Sequence, residues 1–207
     1  MPISVIIVTV LVCYFLGNHN GAICVSLMLH DDVRDHGSGN AGLTNFIRNY
    51  GNSRALLVIL IDVLKAVFAC WLGKAMFTPY GHELEGSVLA GVAVMVGHDF
   101  PALLGFRGGK GILSGWFIAW MIDWRVGLLI AVVFFGIYFL THLVSLGSVM
   151  AAATFAVGFA IFHWGNPFVV AGCGFMGLLT IFQHRANIVR LLKGQEKKVD
   201  LFKLGKK

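Results

Sequence analysis

The sequence predicts an all-α integral membrane protein with seven transmembrane helices, its N-terminus outside and its C-terminus cytoplasmic. Three observations carry that expectation. Of the 207 residues 57% are apolar and only 13% charged, against roughly a quarter charged in an average soluble domain, so such a surface could not be wetted. The apolar residues fall in seven blocks with no polar, self-standing segment between them, and residues 1–207 therefore read as one polytopic domain. The bases are lopsided: Arg34, Arg48, Arg54, Arg107, Lys110 and eight more within 185–207 fall on one side of the seven crossings, and only Lys74 and Arg125 on the other. Lys and Arg in short loops favour the cytoplasmic side, which sets the orientation.

A helix that crosses about 30 Å of hydrocarbon needs about 20 mostly apolar residues. The first expected span, 3–28, is interrupted by Gly17-Asn-His-Asn-Gly21. It has no basic region and no small-residue cleavage site of a secretory signal, so it is expected to stay as an anchor. The second, 55–73, carries Asp62 and Lys65 at i, i+3, where unpaired charges would be costly in lipid, so a structural pairing is expected. The third and fourth, 84–98 and 111–123, each hold only about a dozen uninterrupted apolar residues. A dipping loop lined by half-helices is the alternative there, tolerable only if protein or water shields its backbone. Spans at 126–144, 148–163 and 167–183 complete the set.

The four cysteines, Cys13, Cys24, Cys70 and Cys173, are scattered in or near apolar blocks without C-x-x-C spacing or a partnering His, so they read as buried small hydrophobes, with neither disulfides nor a metal site. The surplus of six bases sits entirely in the segment 185–207 and the rest of the chain is neutral. No nucleic-acid partner is suggested, while Arg190, Lys193, Lys197 and Lys198 suit anionic lipid head groups.

Three polar segments fall on the cytoplasmic side: 36–48, 97–111 and 184–197. The first contains Gly37-Ser-Gly-Asn-Ala-Gly-Leu-Thr-Asn-Phe-Ile-Arg48. Its glycines permit tight, φ-positive backbone whose N–H groups can face an anion. Ser38, Gly39, Asn40, Thr44 and Asn45 supply neutral donors, and Arg48 a planar fork suited to phosphate. Thr44 and Arg48 share one helical face. Read blandly, the segment is a glycine turn that caps the next span.

The second, Gly105-Phe-Arg-Gly-Gly-Lys-Gly111, has the ingredients of a phosphate cradle: backbone N–H groups of Gly108, Gly109 and Gly111, Lys110 as a point charge, and a following helix N-terminus. It is not a nucleotide P-loop, because Leu104 stands where that motif needs its first Gly and Gly111 where it needs Ser or Thr. A basic loop that merely fixes topology is the alternative, and His98 and Phe100-Pro101 read as shaping it. The third, His184-Arg-Ala-Asn187-Ile-Val-Arg190, places His184 and Asn187 on one face. An imidazole there could accept a hydroxyl proton. Glu196 reads as a local partner of Arg190 or Lys193, and Ser145 and Ser148 lie at the depth to add hydroxyls. One decoy, His30-Asp-Asp-Val-Arg-Asp35, fits the His-x-x-x-x-Asp pattern of another class of glycerolipid acyltransferases, a match expected about 0.3 times by chance here, and is set aside.

In order and spacing, the three segments resemble the bacterial acyl-phosphate:glycerol-3-phosphate acyltransferases of the PlsY type, over nearly the whole chain. The resemblance implies a multi-pass protein of the bacterial cytoplasmic (inner) membrane with its active site facing the cytoplasm. It implies transfer of a fatty acyl group from acyl phosphate to the 1-hydroxyl of glycerol-3-phosphate, giving lysophosphatidic acid and phosphate, the first acylation of phospholipid biosynthesis, without coenzyme A, cofactor or metal. By carry-over, Ser38 and Arg48 match the catalytic serine and arginine of the first motif and Gly108-Gly109-Lys110-Gly111 the glycerol-3-phosphate site. His184 and Asn187 match the activity-related pair of the third, and Glu196 an acid with a structural role. Leu43, Arg107, Ser114 and the Gly17–Gly21 stretch depart from the usual pattern. A soluble acyl-phosphate-producing enzyme docking transiently on the basic tail is a further implied partner.

An acyl phosphate is already activated, so the protein mainly has to position two anions and offset their charge. Ser38 then acts as a donor and not as an acylated nucleophile, since no Asp-His pair adjoins it. The proton could pass to His184 or to the substrate's own phosphate. The competing class, a transporter for an organic phosphate, would need matching polar breaks in two halves of the chain, and no repeat appears.

Overall fold

The structure, a computed structural model, describes residues 1–199, which are helical with no strand. The last residues of the basic tail, 200–207, and any docking role they have lie outside the described residues. Ten α-helices follow in order: α1 Ile3–Gly17, α2 Gly21–Met28, α3 Leu43–Tyr50, α4 Ala55–Phe77, α5 Glu83–Asp99, α6 Ile112–Ile122, α7 Trp124–Thr141, α8 Val144–Phe162, α9 Pro167–Gln183 and α10 Arg185–Leu192. Among the described residues, α4, α5, α7 and α8 are each long and apolar enough to cross a membrane. The pairs α1–α2 and α9–α10, bent by 47° and 58°, would make six. The remaining expected span, the fourth at 111–123, is α6, whose 11 residues cover only about 16 Å of the roughly 30 Å hydrocarbon layer.

The short apolar blocks at 84–98 and 111–123 do not form a pair of half-helices. Helix α5 is continuous over 17 residues and includes His98 and Asp99, whose side chains face protein and are buried. The break after Gly17 also has a definite cause. Gly17 lies so close to α5 that a side chain on it would strike the Val94 carbonyl and the Gly97 backbone. Asn18 then anchors the bend, its Nδ2 donating to the Tyr14 carbonyl at 2.8 Å and its Oδ1 accepting from Leu103 N at 3.0 Å. Asn20 restarts the chain as the cap of α2, its Oδ1 accepting from Ile23 N at 3.1 Å, which satisfies a donor that a helix start leaves open.

The main core joins α1 and each helix from α4 to α9 through small side chains such as Cys13, Ala66, Ala69, Val94, Val126 and Cys173, with Phe155 and Phe159 as its bulky members. A second core of Ala22, Ile23, Val33, Phe46 and Val58 seats α2 and α3 against the start of α4. On α4 the exposed stripe Leu56, Leu60, Leu64 and Trp71 repeats at helical spacing, as a lipid-facing surface does. At the end where α6 meets α7, Asp123 is an N-cap paired with Arg125 at 2.6 Å and His163 at 2.9 Å. The three polar segments gather at the other end.

Candidate active site

The loop 30–42 is pinned to the second core by Val33 and Ala41 and shaped by hydrogen bonds. Gly37 and Gly39 turn it at φ +60° and +68°, values that L side chains rarely adopt. Asn45, 3% exposed, holds the turn together: its Oδ1 accepts from Ser38 N at 3.0 Å, and its Nδ2 donates to the carbonyls of Val33, His36 and Asn40 at 3.0–3.1 Å. Asn45 is therefore a scaffold for the loop, and its amide is already engaged. Asp31 latches the loop to α3 by accepting from Tyr50 Oη at 2.8 Å and pairing with His36 at 2.9 Å. The hydrogen bonds from His36 and Tyr50 hold the Asp31 carboxyl below the usual range, and the one to Asp31 raises the His36 imidazole.

The second segment is joined to the first by Arg34. Asp32 grips its guanidinium at 2.7–3.1 Å, which leaves Nη1 to donate to the carbonyls of Leu104 at 2.6 Å and Arg107 at 3.2 Å. The N–H groups of Gly108 and Gly109 do not face a ligand: they donate to the carbonyls of Asp99 and His98, both at 3.1 Å. A side chain at Gly108 would strike those carbonyls, and one at Gly109 the His98 ring. The two glycines are needed for close packing, a correction to their sequence-based reading as phosphate donors. Lys110 then points at the third segment, donating to Asn187 Oδ1.

The bend between α9 and α10 turns His184 and Asn187 inward, 5% and 9% exposed. His184 Nδ1–H donates to the Thr180 carbonyl at 2.8 Å, so the neutral ring carries its lone pair on Nε2. Asn187 Nδ2 donates to Glu196 Oε1 at 2.8 Å, and Arg190 Nε to Oε2 at 2.6 Å. Burial opposes ionisation of Glu196, but the hydrogen bonds from Arg190 and Asn187 outweigh it and keep its pKa low.

One cavity of about 530 Å³ collects these groups. Ser38, Asn40, Thr44, Asn45 and Arg48 line it from the first segment, Lys110 and Gly111 from the second, and His184, Asn187 and Glu196 from the third. Ser145 and Ser148 at the start of α8 also line it. Gly39, Gly108, Gly109 and Lys65 are outside this lining. So are His30 and Asp35, both exposed. Burial, reinforced by the nearby Arg190 charge, pushes the Lys110 amine down to about 8. Beyond the polar mouth the lining becomes apolar, with Leu113, Trp116, Phe134, Phe155 and Met176. No three His, Cys, Asp or Glu side chains among the described residues converge as a metal site would require.

Two features escaped sequence reasoning. Asp62 and Lys65 form an ion pair of 2.8 Å at 3–4% exposure, but the pair is not alone. His98 Nδ1 lies 2.7 Å from Lys65 Nζ, and both Asp62 and His98 line the cavity. Helical spacing within 55–73 could show the pair, whereas its third member comes from another helix. The Arg34 clamp is likewise a contact across 70 residues, for which the local pattern holds no signal.

A family model described as glycerol-3-phosphate acyltransferase matches residues 7–194. Proteins named glycerol-3-phosphate acyltransferase from Thermoanaerobacter sp. (strain X514) and Finegoldia magna are 38% and 34% identical, covering 93% and 94% of this chain and 95% and 96% of their own. The crystal structure of PlsY (YgiH), an integral membrane glycerol 3-phosphate acyltransferase, in its glycerol 3-phosphate form superposes with a TM-score of 0.85 at 28% identity, covering 95% of this chain and 96% of that one. Its lysophosphatidic acid form gives 0.81 at 28% identity, covering 96% and 97%. With its helices, its cavity and its three converging segments, the chain belongs to the glycerol-3-phosphate acyltransferase family.

Proposed function

We propose that this protein transfers a fatty acyl group from acyl phosphate to the 1-hydroxyl of glycerol-3-phosphate, giving lysophosphatidic acid and phosphate. It does so as a seven-span protein of the bacterial cytoplasmic membrane, with its N-terminus outside and the cavity opening to the cytoplasm. The observation that carries this reading is the composition of the cavity where the three segments converge. Its mouth offers Lys110, Arg48 and hydroxyl and amide donors to anions, and its interior is an apolar channel between helices. A phosphate with a fatty tail fits both parts at once, and a second phosphate ester fits the mouth beside it.

In this reading Arg48, Lys110 and the open N–H groups at the start of α6 offset the phosphate charges. Ser38 and Asn40 orient them as donors, while Asn45 and the Asp32–Arg34 clamp keep those donors in register. The glycerol-3-phosphate hydroxyl oxygen attacks the acyl carbonyl carbon, the carbonyl carbon–phosphate oxygen bond breaks, and phosphate leaves with the bonding electrons. His184 Nε2 accepts the hydroxyl hydrogen bond and aims the oxygen. A second positive charge on this buried ring beside Lys110 would be costly, so the proton passes to a phosphate oxygen of the substrate.

The test is product formation by the purified protein given glycerol-3-phosphate with palmitoyl phosphate or palmitoyl-coenzyme A. Lysophosphatidic acid from the acyl phosphate, lost in Ser38→Ala and Lys110→Ala, is the expected result. Product from the thioester alone, or from neither donor, would refute the reading. His184→Gln, which keeps an acceptor near Nε2 but no basic nitrogen, is expected to retain at least a tenth of kcat, and a loss approaching that of Lys110→Ala would make His184 the base.

A further inference from the structure

A buried charge network lies at the inner edge of the polar mouth. Lys65 Nζ donates to Asp62 Oδ1 at 2.8 Å, to the His19 carbonyl at 3.0 Å and, more weakly, to the Gly17 carbonyl at 3.4 Å, and its shortest contact is with His98 Nδ1 at 2.7 Å. Asp62 in turn accepts from Gly21 N at 3.0 Å, and its Oδ1 is 3.5 Å from His98 Nδ1, farther than the ammonium that stands between them. Asn20 brings a second donor to the same ring atom. Its Oδ1 is fixed by Ile23 N and one amide hydrogen by the Ala41 carbonyl, and Nδ2 lies 3.5 Å from His98 Nδ1.

Two donors cannot face a third donor at these distances, so Nδ1 is the lone-pair nitrogen and the ring proton sits on Nε2. That Nε2–H makes no hydrogen bond to another described residue, although His98 is only 5% exposed. Nε2 is not among the sealed side-chain polar atoms of the described residues that lack a partner, so this donor opens onto the cavity the ring lines, where a bound molecule can supply its acceptor. The Nε2 edge lies against Gly109, where any side chain would overlap it. The ring lines the cavity one turn along α5 from Met95 and against Gly109, the residue before Lys110, and Met95 and Lys110 line it too.

From this geometry we infer that His98 is a catalytic residue whose Nε2–H donates to the carbonyl oxygen of the bound acyl phosphate as negative charge develops on it. The inference rests on the acyl-phosphate reading above. The carbonyl joins the phosphate to the fatty chain, and His98 has a neighbour of each kind, apolar Met95 one helical turn away and Gly109, next to Lys110, against its Nε2 edge. The ammonium on Nδ1 polarises the ring and strengthens the Nε2–H bond. It also occupies the lone pair a base would use, so His98 and His184 present opposite tautomers to one cavity: His98 a donor, His184 an acceptor. The hydroxyl oxygen adds to the carbonyl carbon, the oxyanion takes the His98 hydrogen bond, and the bond reforms as phosphate departs. The imidazole is not consumed and its proton is not transferred.

Asparagine and glutamine separate this role from support of Lys65. His98→Asn can place its amide oxygen where Nδ1 stood, keeping the Lys65 acceptor but losing the far donor. His98→Gln can place a donor near Nε2 but loses the acceptor. Expected are a kcat lower on the order of 10²-fold in His98→Asn, with KM and thermal stability nearly unchanged, the cost of one oxyanion donor. His98→Gln should melt at a lower temperature yet keep the higher kcat of the two. In the wild type, ¹⁵N spectra of histidine-labelled protein should show Nε2 protonated and Nδ1 bare. Activity of His98→Asn within threefold of wild type, activity that merely follows melting temperature in both variants, or a bare Nε2 would overturn the assignment. If the wild type itself makes no product from acyl phosphate, it is the functional reading that has failed.

Discussion

Lys110 gives the sharpest prediction, because its environment moves its titration into an accessible range. Burial and the Arg190 charge push its amine down from 10.5 to about 8, only partly opposed by Glu196. In the proposed mechanism the charged form is the one that holds phosphate, so the free enzyme is expected to be competent below that pKa and to lose competence above it. At pH 9 only about a tenth of the molecules carry the ammonium, and kcat/KM, which reports free-enzyme groups, should fall about tenfold per pH unit beyond 8. The phosphate ester of glycerol-3-phosphate is already dianionic above about pH 6, so its own titration lies below this limb. Saturating substrate should move the limb upward, since a bound dianion favours the ammonium. The assay is initial rate from pH 6 to 10, corrected for uncatalysed hydrolysis of acyl phosphate, on wild type and Lys110→Arg. A guanidinium stays protonated throughout, so the variant should be slower at pH 7.5 but without the alkaline limb. A wild-type profile flat to pH 9.5, or the same limb in Lys110→Arg, would refute the assignment.

Two further outcomes follow from buried or clamping contacts that support the mouth. Lys65→Met would leave the buried Asp62 without its ion-pair partner and the His19 carbonyl without a donor. Its destabilisation should reach about 3–5 kcal/mol, read as the unfolding free energy on titrating a denaturing detergent into micelles, and a cost below about 1 kcal/mol would mean that the pair is dispensable. Arg34→Lys keeps the charge but not the fork that joins Asp32 to the Leu104 and Arg107 carbonyls. The expected result is a roughly tenfold higher KM for glycerol-3-phosphate and faster amide hydrogen exchange in residues 99–111, at a stability cost of about 1–3 kcal/mol. An unchanged exchange pattern would show that the clamp does not order the second segment.

The parts of this molecule that are legible in its sequence are those a local solvent decides. Lipid demands long apolar runs, so the blocks that became α4, α7, α8 and α9 stand out from composition alone. Interfaces demand glycine, amides and bases, so the segments holding Ser38, Lys110 and His184 stand out as well. What hides is whatever faces protein inside the bilayer. His98 and Asp99 made α5 look too short, because hydropathy scores a polar side chain as a break even when a neighbouring helix surrounds it. The bend at Gly17 is visible as a bend, but its reason is the Val94 carbonyl on another helix.

The glycine loop shows a subtler limit, with a mechanistic consequence. A run such as Gly108-Gly109-Lys110-Gly111 supplies bare backbone, and bare backbone serves two ends equally well: N–H groups can approach a phosphate, or two chains can approach each other. Spacing cannot separate the two. The Asp99 and His98 carbonyls do, by taking both N–H groups at 3.1 Å, and the result redistributes the work of the site. In the proposed mechanism phosphate charge then falls to side chains, Arg48 and Lys110, and to the start of α6, while Gly109 leaves room for the His98 ring. Gly109→Ala should therefore act on the acyl-transfer step and not on phosphate affinity. The added methyl displaces the imidazole, so kcat should fall while glycerol-3-phosphate binding, measured by calorimetry, stays within about threefold of wild type. Loss of binding with kcat preserved would return the loop to its reading as a phosphate cradle.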